Sequence, residues 1–162
     1  MNIDADVQLL LHSTRVGVLV TLGNEGPVGS AVPFLICEGW QELLVHLSTL
    51  AAHTQNLLQD PRLSLFLMEP DHPQKNPLAL KRFNLQGSGS RVDPQSPTYE
   101  VLARRFIDRF PEARMTMSLA DFQLWQLQMH RAQFIAGFGQ AYTAEASAPT
   151  TWLQQRRREA NP

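Results

Sequence analysis

Four polar side chains crowd one short stretch: Ser48, Thr49, His53 and Asn56, within STLAAHTQNLLQDPRLS. Leucines at positions 50, 57 and 58 have the spacing of a buried helical stripe, so the stretch predicts a short helix. Asp60-Pro61 should end it, because proline disfavours helix in the residue before it. A helix N-terminus offers unpaired N–H groups at the positive end of aligned peptide dipoles, which attracts anions. Hydroxyls from Ser48 and Thr49, with an imidazolium from His53, would complete a cradle for a phosphate monoester. The same residues also fit a capped helix, with Ser48 or Thr49 as the cap and His53 facing solvent.

Other chemically capable residues are scattered. His46 lies one position off the Val45/Leu47 face of a strand-like run and reads as half-exposed. His12, His72 and His130 have no metal-ligand spacing to one another or to acids. Cys37 has no histidine near it in sequence and reads as a small buried hydrophobe. The chain contains no G-x-S-x-G, Walker loop or G-x-G-x-x-G, and GFG at 137–139 reads as a turn or bulge. Arg156 to Arg158 read as a solvated face, and Trp40, Trp125 and Trp152 as core or dimer contacts.

Short strands must position these residues. Asp4 to Ser13 predicts an amphipathic helix with Val7, Leu10 and Leu11 on one face. VGVLVTL and VGSAVPFLI flank GNEGP and predict a hairpin, with Glu42 to Leu47 as the next strand. Leu63 to Met68 follows as a strand, Glu69 to Ala79 as a proline-rich loop, and LKRFNLQGSGSRV as a strand bent or bulged at Gly87 or Gly89. Tyr99 to Phe110 predicts a helix. FQLWQLQMHRAQFIAGFGQAY predicts a terminal hairpin, and TTWLQQRRREANP a frayed helix. Tight turns between successive strands favour an α+β barrel over a parallel sheet. One domain over residues 1–145, with a partly helical tail over 146–162, is the expected organisation.

Composition narrows the classes. The chain has 162 residues, 14 Lys+Arg against 15 Asp+Glu, and 43% hydrophobic residues, enough for a core without staples. A formal charge of −1 provides no global field for nucleic acid or an anionic membrane, so neither is an expected partner. One cysteine excludes an internal disulfide, and no apolar run approaches the roughly 20 residues of a membrane span. MNIDADVQ carries acids where a secretory signal would carry bases, and a cytoplasmic protein is the expectation.

In order, GPVGSAVPF, LSTLAAHTQNLLQDPRLSL, RFNLQG, DFQLWQL and AGFGQA resemble the pyridoxamine 5′-phosphate oxidase-like flavoproteins, and most closely their heme-utilisation (HugZ-type) branch. The resemblance runs from Leu9 to about Tyr142. It implies a six-stranded antiparallel split β-barrel with short flanking helices, dimerised so that FMN occupies each of two inter-subunit clefts. It further implies an oxidoreductase passing electrons through FMN to or from a small-molecule substrate. On this resemblance Ser30, Val32 and Pro33 run beside the flavin ring, Ser48, His53 and Asn56 lie at the phosphate, and Arg82 borders the cofactor. The oxidase branch opens its helix with Ser-Arg-Lys, whereas this chain has Ala51-Ala52-His53.

Two departures shape the functional expectation. Nothing after Ala141 resembles the segment that grips vitamin B6 substrates, so B6 oxidation is not expected. Some heme-utilisation members ligate iron through a C-terminal histidine, and no histidine follows His130 here. A HugZ-type heme-binding or heme-degrading protein stands as the alternative to the flavoprotein, and a non-enzymatic split-barrel binding module as the third.

Overall fold

A computed structural model describes residues 2–155. The chain opens with α1 (Ile3–Ser13), whose N-cap Asn2 accepts from the Ala5 N–H and whose Val7, Leu10 and Leu11 are buried. Strands β1 (Val16–Gly23), β2 (Gly26–Glu38) and β3 (Glu42–Ser48) follow as an antiparallel meander. Helix α2 (Ala52–Gln59) then leads to β4 (Arg62–Met68), which returns beside β1. After a loop containing a single 3-10 turn, Pro77–Ala79, come β5 (Arg82–Arg91), α3 (Tyr99–Arg109) and α4 (Ala113–Thr116). The long strand β6 (Phe122–Gly137), β7 (Gln140–Glu145) and the two-residue β8 (Leu153–Gln154) complete the fold.

The strand order is β3-β2-β1-β4-β5-β6-β7-β8, and β3 also pairs with β6, from Glu42 opposite Gln128 to Ser48 opposite Phe122. That pairing closes β1 to β6 into a ring, with β7 and β8 as a wing on β6. The sheet has eight strands and not the six expected, because β7 and β8 extend it beyond the ring. Over the described residues the expected tail helix is not formed: Leu153 and Gln154 pair with Thr143 and Tyr142, and Trp152 stacks against Trp40, Phe83 and Phe134. The remainder of that tail, with Arg156 to Arg158, lies outside the described residues.

Alternation decides which side chains fill the barrel. Leu19 on β1, Phe34 on β2, Val45 and Leu47 on β3, Leu65 on β4, and Phe83 and Leu85 on β5 all point inward and are buried. Burying each such side chain is worth about 1.5–3 kcal/mol. A bulge at Gln86/Gly87 bends β5 as expected, and only glycine fits there. A Cβ on Gly87 would lie 2.1 Å from the Gln128 carbonyl oxygen. The GFG turn is the β6–β7 connection, with Gly139 at φ 73.

A second, smaller core lies outside the ring. Leu35, Leu44 and Leu124, on the outer face of β2, β3 and β6, are covered by Phe106 and Phe110 of the α3 segment. Cys37 packs at its edge, half-buried, and burial pushes its thiol pKa up. No helix among the described residues is long and apolar enough to cross a membrane.

Candidate functional site

The groove beside this outer core is built by period. Leu44, His46 and Ser48 alternate onto the outer face of β3, so His46 lies in line with the apolar patch that α3 covers. On α3, Phe106 and Phe110 are four residues apart and share one face. Pro111 ends that helix, and the chain turns into α4. The result is a cavity of about 430 Å3 walled by Val16, Pro33, Phe106, Phe110 and Phe122, with His46 and Thr116 as its inner polar groups.

His46 is wedged between aromatic rings, 5.8 Å from Phe106 and 5.1 Å from Phe122 by ring centroids. Its Nδ1 lies 3.4 Å from Thr116 Oγ1. Burial removes water from the ring and lowers its pKa from 6.5 to about 4, so it is neutral at physiological pH. At the rim the Arg15 guanidinium sits 5.2 Å over the Phe110 ring and 3.9 Å from Glu112. Arg109 flanks the same ring at 5.6 Å and donates to the Thr14 carbonyl at 3.2 Å.

Most of the polar side chains at the start of α2 bond to the protein itself. The expected Ser48 or Thr49 cap is not formed: Ala51 is the N-cap residue, without a side-chain bond. Ser48 Oγ accepts from the Leu50 N–H at 3.2 Å and donates to the Asp121 carboxylate at 3.4 Å. Thr54 donates to the Ser48 carbonyl, Gln55 to the Thr49 carbonyl, and Asn56 to Thr21 Oγ1 at 3.0 Å. Burial lowers the pKa of His53, which favours its neutral form over the cation a phosphate would want. Of the predicted leucine stripe, Leu57 is buried, but Leu50 and Leu58 are 83% and 60% exposed.

The predicted site residues do not form one cluster. Pro33 lines the aromatic groove, and Ser48 lies two residues from His46 on the same face of β3. Val32 is buried in the barrel core, and Ser30 pairs with Leu19, on the barrel-facing side of β2. His53 and Asn56 belong to α2, whose Leu57 packs over Gly89 at the far end of β5 from Arg82. Seven residues at about 3.3 Å each put Arg82 roughly 20 Å from that corner. Arg82 instead lines a separate cavity of about 390 Å3 with Leu78, Ile135 and the β6–β7 turn. Its Nε is buried without a partner among the described residues.

Arg15, Phe106, Phe110, Thr116 and Phe122 carry the groove and were not singled out from sequence. The four-residue spacing of Phe106 and Phe110 is a signal for a buried helix face, but it does not say which strand that face covers. No three His, Cys, Asp or Glu side chains cluster for a metal among the described residues.

Residues 7–151 match the family described as CREG, beta-barrel. HutZ of Vibrio cholerae, named a heme oxygenase, is 32% identical over 143 residues, which are 87% of this chain and 80% of HutZ. The solved structure of HutZ, there called a heme storage protein, aligns at TM-score 0.71 and 25% identity over 80% of this chain and 92% of that one. A heme binding protein from Mycobacterium smegmatis aligns at TM-score 0.79 and 28% identity over 91% of this chain, which spans only 59% of that protein's length. A protein of the pyridoxinephosphate oxidase family from Clostridium acetobutylicum aligns at TM-score 0.68 and 12% identity over 89% of this chain and 94% of that one, a likeness of fold alone.

Proposed function

The chain belongs to the CREG-type β-barrel family and is a homologue of HutZ, and on that premise we propose that it binds heme in the groove between β3 and the α3–α4 roof. The observation that carries this reading is the lining of the groove: three phenylalanine rings, Val16 and Pro33 around a neutral imidazole, with a guanidinium at the rim. A porphyrin is a flat apolar ring with carboxylates at one edge and a metal at its centre. Phe106, Phe110 and Phe122 suit its faces, Arg15 suits a carboxylate, and about 430 Å3 falls within the size range of small-molecule pockets. Bound heme would supply iron-centred redox chemistry. The chain's own residues would hold it, exclude water from its faces and fix its orientation.

FMN, the cofactor suggested by the resemblance to the oxidases, fits less well. Its phosphate would meet the Asp121 carboxylate beside Ser48, and the Ser48 hydroxyl and the Asn56 amide already serve the protein. Like charge in place of a basic pair works against a doubly charged ligand.

A second copy of the chain would complete the site. Val16, Val18, Leu22 and Met68 are 51%, 41%, 37% and 42% exposed on the outer face of β1 and β4. An apolar stripe of that kind marks an association surface. Val16 and Pro33 belong both to this face and to the groove, so a homodimer would wall the ligand from the open side.

Separate hemin and FMN titrations of the purified protein test the reading. Saturable hemin binding that is weakened by filling the groove with Ala113→Trp is the expected outcome. Saturable FMN binding lost in His53→Ala, with no hemin uptake, would replace this reading with the flavoprotein. Loss of the heme band under reductant and oxygen would mark a degrading enzyme, and its persistence a carrier.

A further inference from the structure

Resting on the heme reading above, we infer that His46 would ligate heme iron in this groove through its Nε2. One proton decides the tautomer of the ring. Thr116 Oγ1 has a single hydrogen, and it is donated to the Ala113 carbonyl at 3.0 Å, inside α4. With that proton on the shorter contact, the same oxygen accepts from His46 Nδ1, 3.4 Å away. The hydrogen on the imidazole is thereby assigned to Nδ1. In a neutral ring the lone pair then lies on Nε2, the atom left to bind a metal.

This is the arrangement that metal-binding histidines use: one ring nitrogen donates to a fixed oxygen, which sets the tautomer and makes the other nitrogen more basic. Packing against Phe106 and Phe122 restricts rotation of the ring. Two charged groups share the cavity lining, Arg15 and Glu112, and they pair with each other at the exposed rim.

Nothing else on the lining competes. Among the residues that wall the cavity, His46 is the only imidazole, and there is no thiol or thioether. The Glu112 carboxylate is 77% exposed and faces Arg15. His12, His53, His72 and His130 lie elsewhere on the chain and do not line the cavity. The position was passed over in sequence because a histidine alternating with Leu44 and Ser48 reads as a half-exposed strand residue. The α4 threonine that orients it lies 70 positions downstream.

Hemin titrations followed by absorbance and by electron paramagnetic resonance test the assignment on the full chain. His46→Gly should weaken hemin binding by on the order of 100-fold and change the ligand-field bands, and free imidazole should restore both. Thr116→Val, which keeps the ring but removes its acceptor, should weaken binding by about 10-fold. His53→Ala should match the parent. If His46→Gly keeps the parental affinity and spectrum, the assignment is overturned while heme binding stands. If the parent itself takes up no hemin, the heme reading fails first and this assignment with it.

Discussion

Acidification tests the environment of His46 without any ligand. Burial lowers its pKa from 6.5 to about 4 in the folded protein, while an unfolded chain would return it to the ordinary value. Below about pH 6.5 the unfolded state therefore binds a proton that the folded state refuses, and stability falls as pH drops toward 4. Above 6.5 both states are neutral and the contribution is fully present. At about 1.4 kcal/mol per pKa unit the upper bound is about 3 kcal/mol. The ring is only half-buried, so solvent screening reduces this to about 1–2 kcal/mol. The assay is urea denaturation from about pH 7.5 to about pH 4.5 for the parent and for His46→Asn, whose amide takes the place of the Nδ1–H toward Thr116 but does not titrate. Acidic residues protonate in both proteins, so the difference between the curves isolates the imidazole. The parent's midpoint should fall by about 0.5–1 M more than the variant's over that range. Parallel curves would refute the burial argument, and with it the claim that the groove holds a neutral ring.

Three other perturbations address the scaffold. Val18→Glu places a charge amid the exposed stripe of β1, and light scattering should find a folded monomer where the parent is a dimer; a parent already monomeric would contradict the proposed assembly. Gly87→Ala drives a Cβ against the Gln128 carbonyl at the bulge and should cost about 1–3 kcal/mol in thermal or chemical denaturation. An unchanged midpoint would mean that the bulge relaxes freely. Trp152→Ala removes three aromatic contacts and the 2.7 Å bond to Asp4, and should cost about 2–4 kcal/mol; a smaller loss would show that the segment after β7 merely rests on the barrel.

The strands and helices were legible wherever period and punctuation agreed. The β1–β2 hairpin, the Pro61 stop, the bulge at Gly87 and the GFG turn followed from alternation, glycine and proline, and each stands in the structure. The described part of the tail forms a strand and not the expected helix, because the docking of Trp152 on Phe83 and Phe134 outweighs the helical propensity of WLQQ. The polar residues at α2 drew attention because their types suit a phosphate. Their partners are backbone carbonyls, a serine-bound carboxylate and Thr21, which no local spacing encodes. The groove was illegible for the complementary reason. Phe122 meets His46 through the pairing of β3 with β6, and Phe106 and Thr116 reach it only because α3 and α4 fold back over β3.

The pairing of β3 with β6 also governs how the chain can assemble during synthesis. Glu42 must wait for Gln128, and Ser48 for Phe122, so the third strand leaves the ribosome long before its second neighbour exists. Until then a nascent chain exposes an open rim of unpaired amides and carbonyls next to Leu44 and His46. Such distant pairing slows folding, because the entropy of closing the intervening segment is lost before any contact repays it. The roof over the groove is made by that same intervening segment, so ligand uptake should be a property of the finished ring and of no earlier intermediate.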